Sequence, residues 1–145
     1  MVMNTLLSTN FEIPNQLSKY SGKVREVISL DNDLLVIITT DRLSAFDFVL
    51  PRGIPYKGQI LNQISLNMLN STKDLVPNWL ISSPDPNVSI GKKCEPFKVE
   101  MIIRGYLSGH AARQYKIGKR YISGVRMPNK MNENDPFEKP IITPS

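Results

Sequence analysis

Three short stretches concentrate the residues that could do chemistry, each beside an apolar run. In Ser21-Gly22-Lys23-Val24-Arg25 a small turn feeds a strand. Backbone N–H groups can approach phosphate at such a turn, and Lys23 and Arg25, two apart, share one strand face and can clamp an anion; a solvated strand face is the other outcome of the same pattern. In Thr40-Asp41-Arg42-Leu43-Ser44-Ala45-Phe46-Asp47 two carboxylates, a guanidinium and hydroxyls follow a buried apolar run. They could hold a polar substrate or a metal-bound phosphate, or satisfy the backbone donors of a turn. The third stretch runs from a strand through Arg104 and a glycine turn to a helix start at Ser108, Gly109 and His110. Freed N–H groups at a helix start attract anions, and Arg104 could add a bidentate partner for phosphate or carboxylate. His110 is the only histidine. In a first helical turn a protonated imidazole is disfavoured unless an anion is bound, and an exposed histidine on a surface helix fits the same residues.

Several function classes drop out. The pairs Gly22-Lys23, Gly91-Lys92 and Gly118-Lys119 lack both a glycine five residues ahead and a following Ser or Thr, which excludes a Walker-type phosphate loop. One cysteine and one histidine make neither an internal disulfide nor a zinc-ligand spacing, which favours a reducing, cytoplasmic setting. No apolar run approaches a membrane span, and the start lacks a basic segment followed by an apolar one, so no membrane association is expected. The net charge of +5 suits anionic partners. The bases are dispersed, with Lys92-Lys93 and Lys119-Arg120 the only adjacent pairs, which fits small phosphorylated ligands and speaks against nucleic acid.

The elements that must position these residues follow from pattern. Residues 1–15 read as a polar arm. Lys23–Leu30, a turn at Asp31-Asn32-Asp33, and Leu34–Ile38 read as a hairpin. Ile60, Leu61, Ile64, Met68 and Leu69 recur at three- and four-residue spacing, predicting an amphipathic helix over Gln59–Asn70 with this stripe in the core. Three prolines between Pro77 and Gly91 predict an irregular loop. A strand over Val99–Ile103, a helix over Ser108–Ile117 capped by Ser108 and stopped by Gly118, and a strand over Lys119–Met127 follow. Beyond Pro128 a proline-punctuated loop is expected, and an ending on an extended segment looks cut short.

In the stretches YSGKVREVISLDNDLLVIITTDRLSAFDFVLPRGIPYKGQILNQIS, EPFKVEMIIRGYLSGHAARQY and EKPIITPS, the chain resembles the SAICAR synthetase family of purine biosynthesis, from about Phe11 to Ser145. The resemblance implies an α+β fold with an antiparallel-sheet nucleotide-binding lobe, related to kinase and ATP-grasp architectures, and the start of a second α/β substrate lobe. The expected organisation is an arm over 1–15, an ATP-binding lobe over 16–103 and the beginning of a substrate lobe over 104–145. The implied activity is an ATP- and Mg²⁺-dependent ligase joining L-aspartate to the carboxylate of carboxyaminoimidazole ribonucleotide through an acyl phosphate. Such chemistry needs positioning and charge neutralisation rather than a nucleophile triad.

By resemblance, Ser21, Gly22, Lys23 and Arg25 belong to the nucleotide-phosphate loop, and Cys94, Phe97 and Lys98 to a segment bracketing adenine. Asp41, Asp47 and Arg104 would act at the reacting groups. Arg42, Ser44, Ala45, Lys57, Gly58 and Glu100 would line the substrate side, and Gly109 and His110 would join Arg104 in the ribonucleotide-phosphate motif. Two departures stand out. His110 occupies a position where much of the family has serine, and the family chain continues into an Asp-x-Lys-x-Glu-type motif with further metal and nucleotide ligands. Oligomeric state and metal ligands are not implied. Two other readings of the residues stay open: another ATP-using carboxylate ligase or phosphotransferase, and a basic nucleotide- or RNA-binding module without catalysis.

Overall fold

The computed structural model describes residues 5–45 and 48–144. The chain divides into two compact units, Met1–Cys94 and Glu95–Ser145. The division falls before the boundary expected near Arg104, because the strand carrying Arg104 pairs wholly within the second unit.

The first unit is built on a five-stranded antiparallel sheet. Its strands are β1 (Gln16–Ser21), β2 (Arg25–Leu30), β3 (Leu34–Thr39), β6 (Leu80–Asp85) and β7 (Val88–Lys92), in the order β1-β2-β3-β7-β6. A small hairpin of β4 (Ser44–Ala45) and β5 (Phe48–Val49) and the helix α1 (Lys57–Thr72) lie between β3 and β6 in sequence. The expected hairpin at Asp31–Asp33 is present, with Asp33 at φ 56° closing the turn. Side chains alternate across a strand, so Ile28, Val36 and Ile38 go to one face. There they meet Leu30, Val88, Ile90 and, from the N-terminal arm, Leu6 and Ile13. The arm is therefore a strap over the sheet's dry face.

Two expectations fail here for physical reasons. The segment read as an irregular loop, Pro77–Gly91, contains β6 and most of β7. β6 lies at the sheet edge, where Pro84 removes no ladder bond a neighbour needs. The α1 stripe does not enter a core either: Ile60, Leu61, Ile64 and Met68 are exposed, and the buried positions are Gly58 and Asn62. Polar and small contacts fasten this helix to the sheet. Asn62 Nδ2 donates to the Pro86 carbonyl (2.9 Å), and the buried Ser89 hydroxyl donates to Asn62 Oδ1 (2.7 Å). A Cβ on Gly58 would lie 2.2 Å from the Thr39 carbonyl oxygen, so the backbones approach too closely for a side chain.

The second unit pairs β8 (Met101–Tyr106) with β11 (Pro136–Pro144), and carries α2 (Gly109–Lys116) and a short hairpin of β9 (Tyr121–Ile122) and β10 (Val125–Arg126). The single strand expected over Lys119–Met127 is broken by Ser123 and Gly124, both at positive φ, which turn the chain back. The tail expected as a loop is the nine-residue β11. Three prolines disguise it, yet a strand with one partner can carry them. Leu107, Ala111, Ala112, Tyr115, Ile122, Met127 and Phe137 form this unit's core. Ser108 does precede α2, but without a side-chain cap; Gly118, at φ 90°, follows the helix end and donates to the Tyr115 carbonyl (3.0 Å). Among the described residues no helix is long and apolar enough to cross a membrane.

The strap is tied down by Glu26, which is 1% exposed. Its carboxylate accepts from the Thr9 hydroxyl and N–H and pairs with Lys19 (3.0 Å) and Arg42 (3.5 Å). Burial by itself would raise its pKa, but the hydrogen bonds from Thr9 and Lys19, together with the Lys19 charge, outweigh burial and hold the carboxyl below its ordinary value. An acid with a depressed folded pKa stabilises fully above its unfolded value, about 4.3 for glutamate, and that stabilisation is lost as pH falls through the folded value. Urea midpoints should therefore drop on the acid side, and Glu26→Gln should lower the neutral-pH midpoint and flatten the acid dependence. An unchanged profile in the variant would place the acid sensitivity elsewhere. A second expectation concerns Gly91, where a Cβ would lie 2.2 Å from both the ring and the carbonyl oxygen of Trp79. Gly91→Ala should destabilise by about 1–3 kcal/mol or more, read as a lower urea midpoint at unchanged slope.

Candidate functional site

In the first unit the face of the sheet opposite the strap mixes polar and apolar side chains. Arg25, Ile37, Thr39 and Ser89 from the sheet, with Asn62 of α1 and Trp79, line a cavity of about 210 Å³. Arg25 begins β2, directly after the Gly22–Val24 turn, so the turn and the cavity adjoin. The turn is closed by a hydrogen bond from the Gly22 N–H to the Arg25 carbonyl (2.8 Å). Lys23 and Arg25 are both exposed, but Lys23 lies in the turn and Arg25 in the strand, not together on one strand face. The aromatic and polar lining, Trp79, Asn62 and Ser89, comes from segments that no local motif marks.

In the Thr40–Asp47 stretch the described charges engage the main chain. Asp41 is 4% exposed, and each carboxylate oxygen accepts a backbone N–H, Oδ2 from Leu6 and Oδ1 from Gly58, both at 2.8 Å. It borders an open depression with Tyr56, Gln59 and Asn87. With both oxygens engaged, it ties together the strap, the end of β3 and the start of α1. Arg42 turns to the other side and binds main-chain carbonyls of the strap and of the Gly22–Arg25 turn. Ser44 and Ala45 sit half-buried in the β4–β5 hairpin, and Asp47 lies outside the described residues. Lys57 opens α1, half-buried, beside Gly58. Cys94 is exposed with its thiol 3.5 Å from the Lys92 carbonyl.

In the second unit Phe97 and Lys98 are exposed outside any strand, and Glu100 is exposed just ahead of β8. Arg104 and His110 do come together: with Ile102, Ser123 and Thr143 they line a cavity of about 250 Å³. Arg104 Nε donates to the buried Thr143 Oγ1 (3.0 Å), which orients the guanidinium and leaves its other nitrogens without protein partners among the described residues. Gly109, at φ 55°, makes the turn from β8 into α2. With Ser108 supplying no side-chain cap, the first-turn N–H groups lack that partner. Ser123 and Thr143 escaped the sequence reading because one sits in a two-residue turn and the other in a proline-rich segment. Neither carries a local signature.

Residues 18–145 match the family described as SAICAR synthetase. The phosphoribosylaminoimidazole-succinocarboxamide synthase of Flavobacterium psychrophilum is 66% identical over 143 residues, 99% of this chain and 45% of that protein. The protein of the same name from Cytophaga hutchinsonii is 60% identical over 99% of this chain and 46% of its own length. The chain thus spans less than half the length of these relatives. Among solved structures, a SAICAR synthase aligns with a TM-score of 0.80 at 25% identity, over 94% of this chain and 53% of the other. The enzyme from Saccharomyces cerevisiae complexed with SAICAR aligns with a TM-score of 0.79 over the same shares. On the match over residues 18–145, this chain belongs to the SAICAR synthetase family.

Proposed function

We propose that this chain supplies the nucleotide-binding and ribonucleotide-phosphate-binding parts of an ATP-dependent ligase that joins L-aspartate to carboxyaminoimidazole ribonucleotide. The observation that carries the reading is the second-unit cavity. There a guanidinium oriented by a buried hydroxyl and a histidine from the first turn of α2 line one space, a combination suited to a phosphate monoester. The relative complexed with SAICAR is consistent with it. The nucleotide would lie on the face of the five-stranded sheet away from the strap, its phosphates at the Gly22–Arg25 turn, in keeping with a solved SAICAR synthetase in complex with ADP. Among the described residues no three of His, Cys, Asp and Glu converge. They provide no cage for Mg²⁺, which would arrive with the phosphates of ATP. The lack of dense basic clusters disfavours a nucleic-acid module, and a cytoplasmic site of action fits the substrates.

Aspartate-dependent ADP release, measured with the ribonucleotide on this chain and on the Flavobacterium psychrophilum relative, tests the activity. Turnover without aspartate would indicate a different ligase or phosphotransferase. Polyanion binding with a steep salt dependence and no turnover would indicate a binding module. At the level of residues, Arg104→Ala should weaken ribonucleotide binding by roughly 10- to 100-fold, the loss of charge-assisted hydrogen bonds, while His110→Ser should keep it. Calorimetric titration of each variant decides. Unchanged affinity in Arg104→Ala together with lost turnover in His110→Ser would instead give the histidine a catalytic role.

A further inference from the structure

We propose that Arg42 is a positioning residue for the nucleotide, holding the Gly22–Arg25 turn in the conformation that offers its N–H groups to phosphate. This rests on the reading of that turn as the phosphate-binding one. The Arg42 side chain is only 14% exposed. Its Nε donates to the Lys23 carbonyl (3.1 Å), and Nη2 to the carbonyls of Gly22 (2.8 Å) and Arg25 (3.3 Å). Nη1 donates to the Leu7 carbonyl and faces Glu26 Oε1 at 3.5 Å. Five acceptors thus surround a group with five N–H donors, which leaves nothing to bind a substrate directly.

The consequence follows from the geometry of the peptide. In a planar trans peptide the C=O and the next residue's N–H point in opposite directions. Drawing the Gly22 and Lys23 carbonyls onto the guanidinium therefore turns the Lys23 and Val24 N–H groups away from it, to the outer side of the turn. Successive N–H groups presented in this way make an anion-binding concavity. Glu26, itself anchored by Thr9 and Lys19, stands behind the guanidinium and limits its movement. A lysine at this position would keep the charge, but a single nitrogen cannot span carbonyls on three residues of the turn.

Amide hydrogen exchange reads the turn directly. In the wild-type chain, ADP should slow exchange at the Lys23 and Val24 amides. In Arg42→Lys, exchange across Gly22–Glu26 should quicken about tenfold while Ile28, Val36 and Ile38 keep their protection, and ADP affinity should fall about tenfold with adenosine affinity unchanged. The proposal is overturned if ADP binds the wild type without slowing those two amides, if a folded Arg42→Lys keeps wild-type exchange in the turn, or if adenosine and ADP affinities fall by the same factor. A variant that does not fold leaves the wild-type measurement to decide. A wild-type chain that binds no ADP sinks the nucleotide reading itself, and turn exchange in Arg42→Lys then decides whether Arg42 holds the turn.

Discussion

Two adjacent side chains of opposite charge hold the first unit together by taking up opposite ends of the peptide dipole. Asp41, an acceptor only, gathers N–H groups from the strap and from the start of α1. Arg42, a donor only, gathers carbonyls from the strap and from the Gly22–Arg25 turn. Both are largely withdrawn from water, where a charge stripped of its partners costs about 3–5 kcal/mol. That is a large share of the roughly 5–15 kcal/mol that separates a folded domain from its unfolded chain. The strap, the turn, the end of β3 and the helix start are therefore fixed together, since moving any one strands a buried charge.

This arrangement leaves the two faces of the sheet unlike. Its dry face, Ile28, Val36 and Ile38, is closed by Leu6 and Ile13 of the strap and needs nothing further. The other face keeps Arg25, Thr39, Asn62 and Ser89 around an open cavity beside the turn. The second unit solves a smaller version of the same problem. Its core is modest, with alanines at two of the helix positions, and β8 and β11 carry Arg104 and the threonine that orients it. The hydroxyl of Tyr115 ties the loop after β10 to this core, accepting from Met131 N–H (3.1 Å) and donating to the Pro128 carbonyl (2.8 Å).

Where local pattern and tertiary environment agreed, the elements were legible: the β2–β3 hairpin, a helix near Gln59–Asn70, and a strand, turn and helix around Arg104. Where they disagreed, position in the sheet was the cause. Proline marks a break in a central strand but is tolerated at an edge, so β6 and β11 were taken for loops. The α1 stripe has helical spacing, yet spacing cannot say which face meets a neighbour. Gly58 and Asn62 make the close approach because the sheet presents a carbonyl and a hydroxyl there.

Sequence by itself determined the family, the α+β class it implies, and the residue types available for binding phosphate, because these rest on the order of residues along the chain. Only the tertiary structure decided what each charge does. Asp41 and Arg42 look alike as site residues in a string, both polar and both following a buried strand. Their hydrogen-bond partners lie 17 to 35 residues away, and a hydrogen bond depends on distance and direction in space, which local spacing does not encode. Thr143, 39 residues from Arg104, is the same case in the second unit. The strand pairing that brings it alongside turned a tail residue into the one that aims the guanidinium.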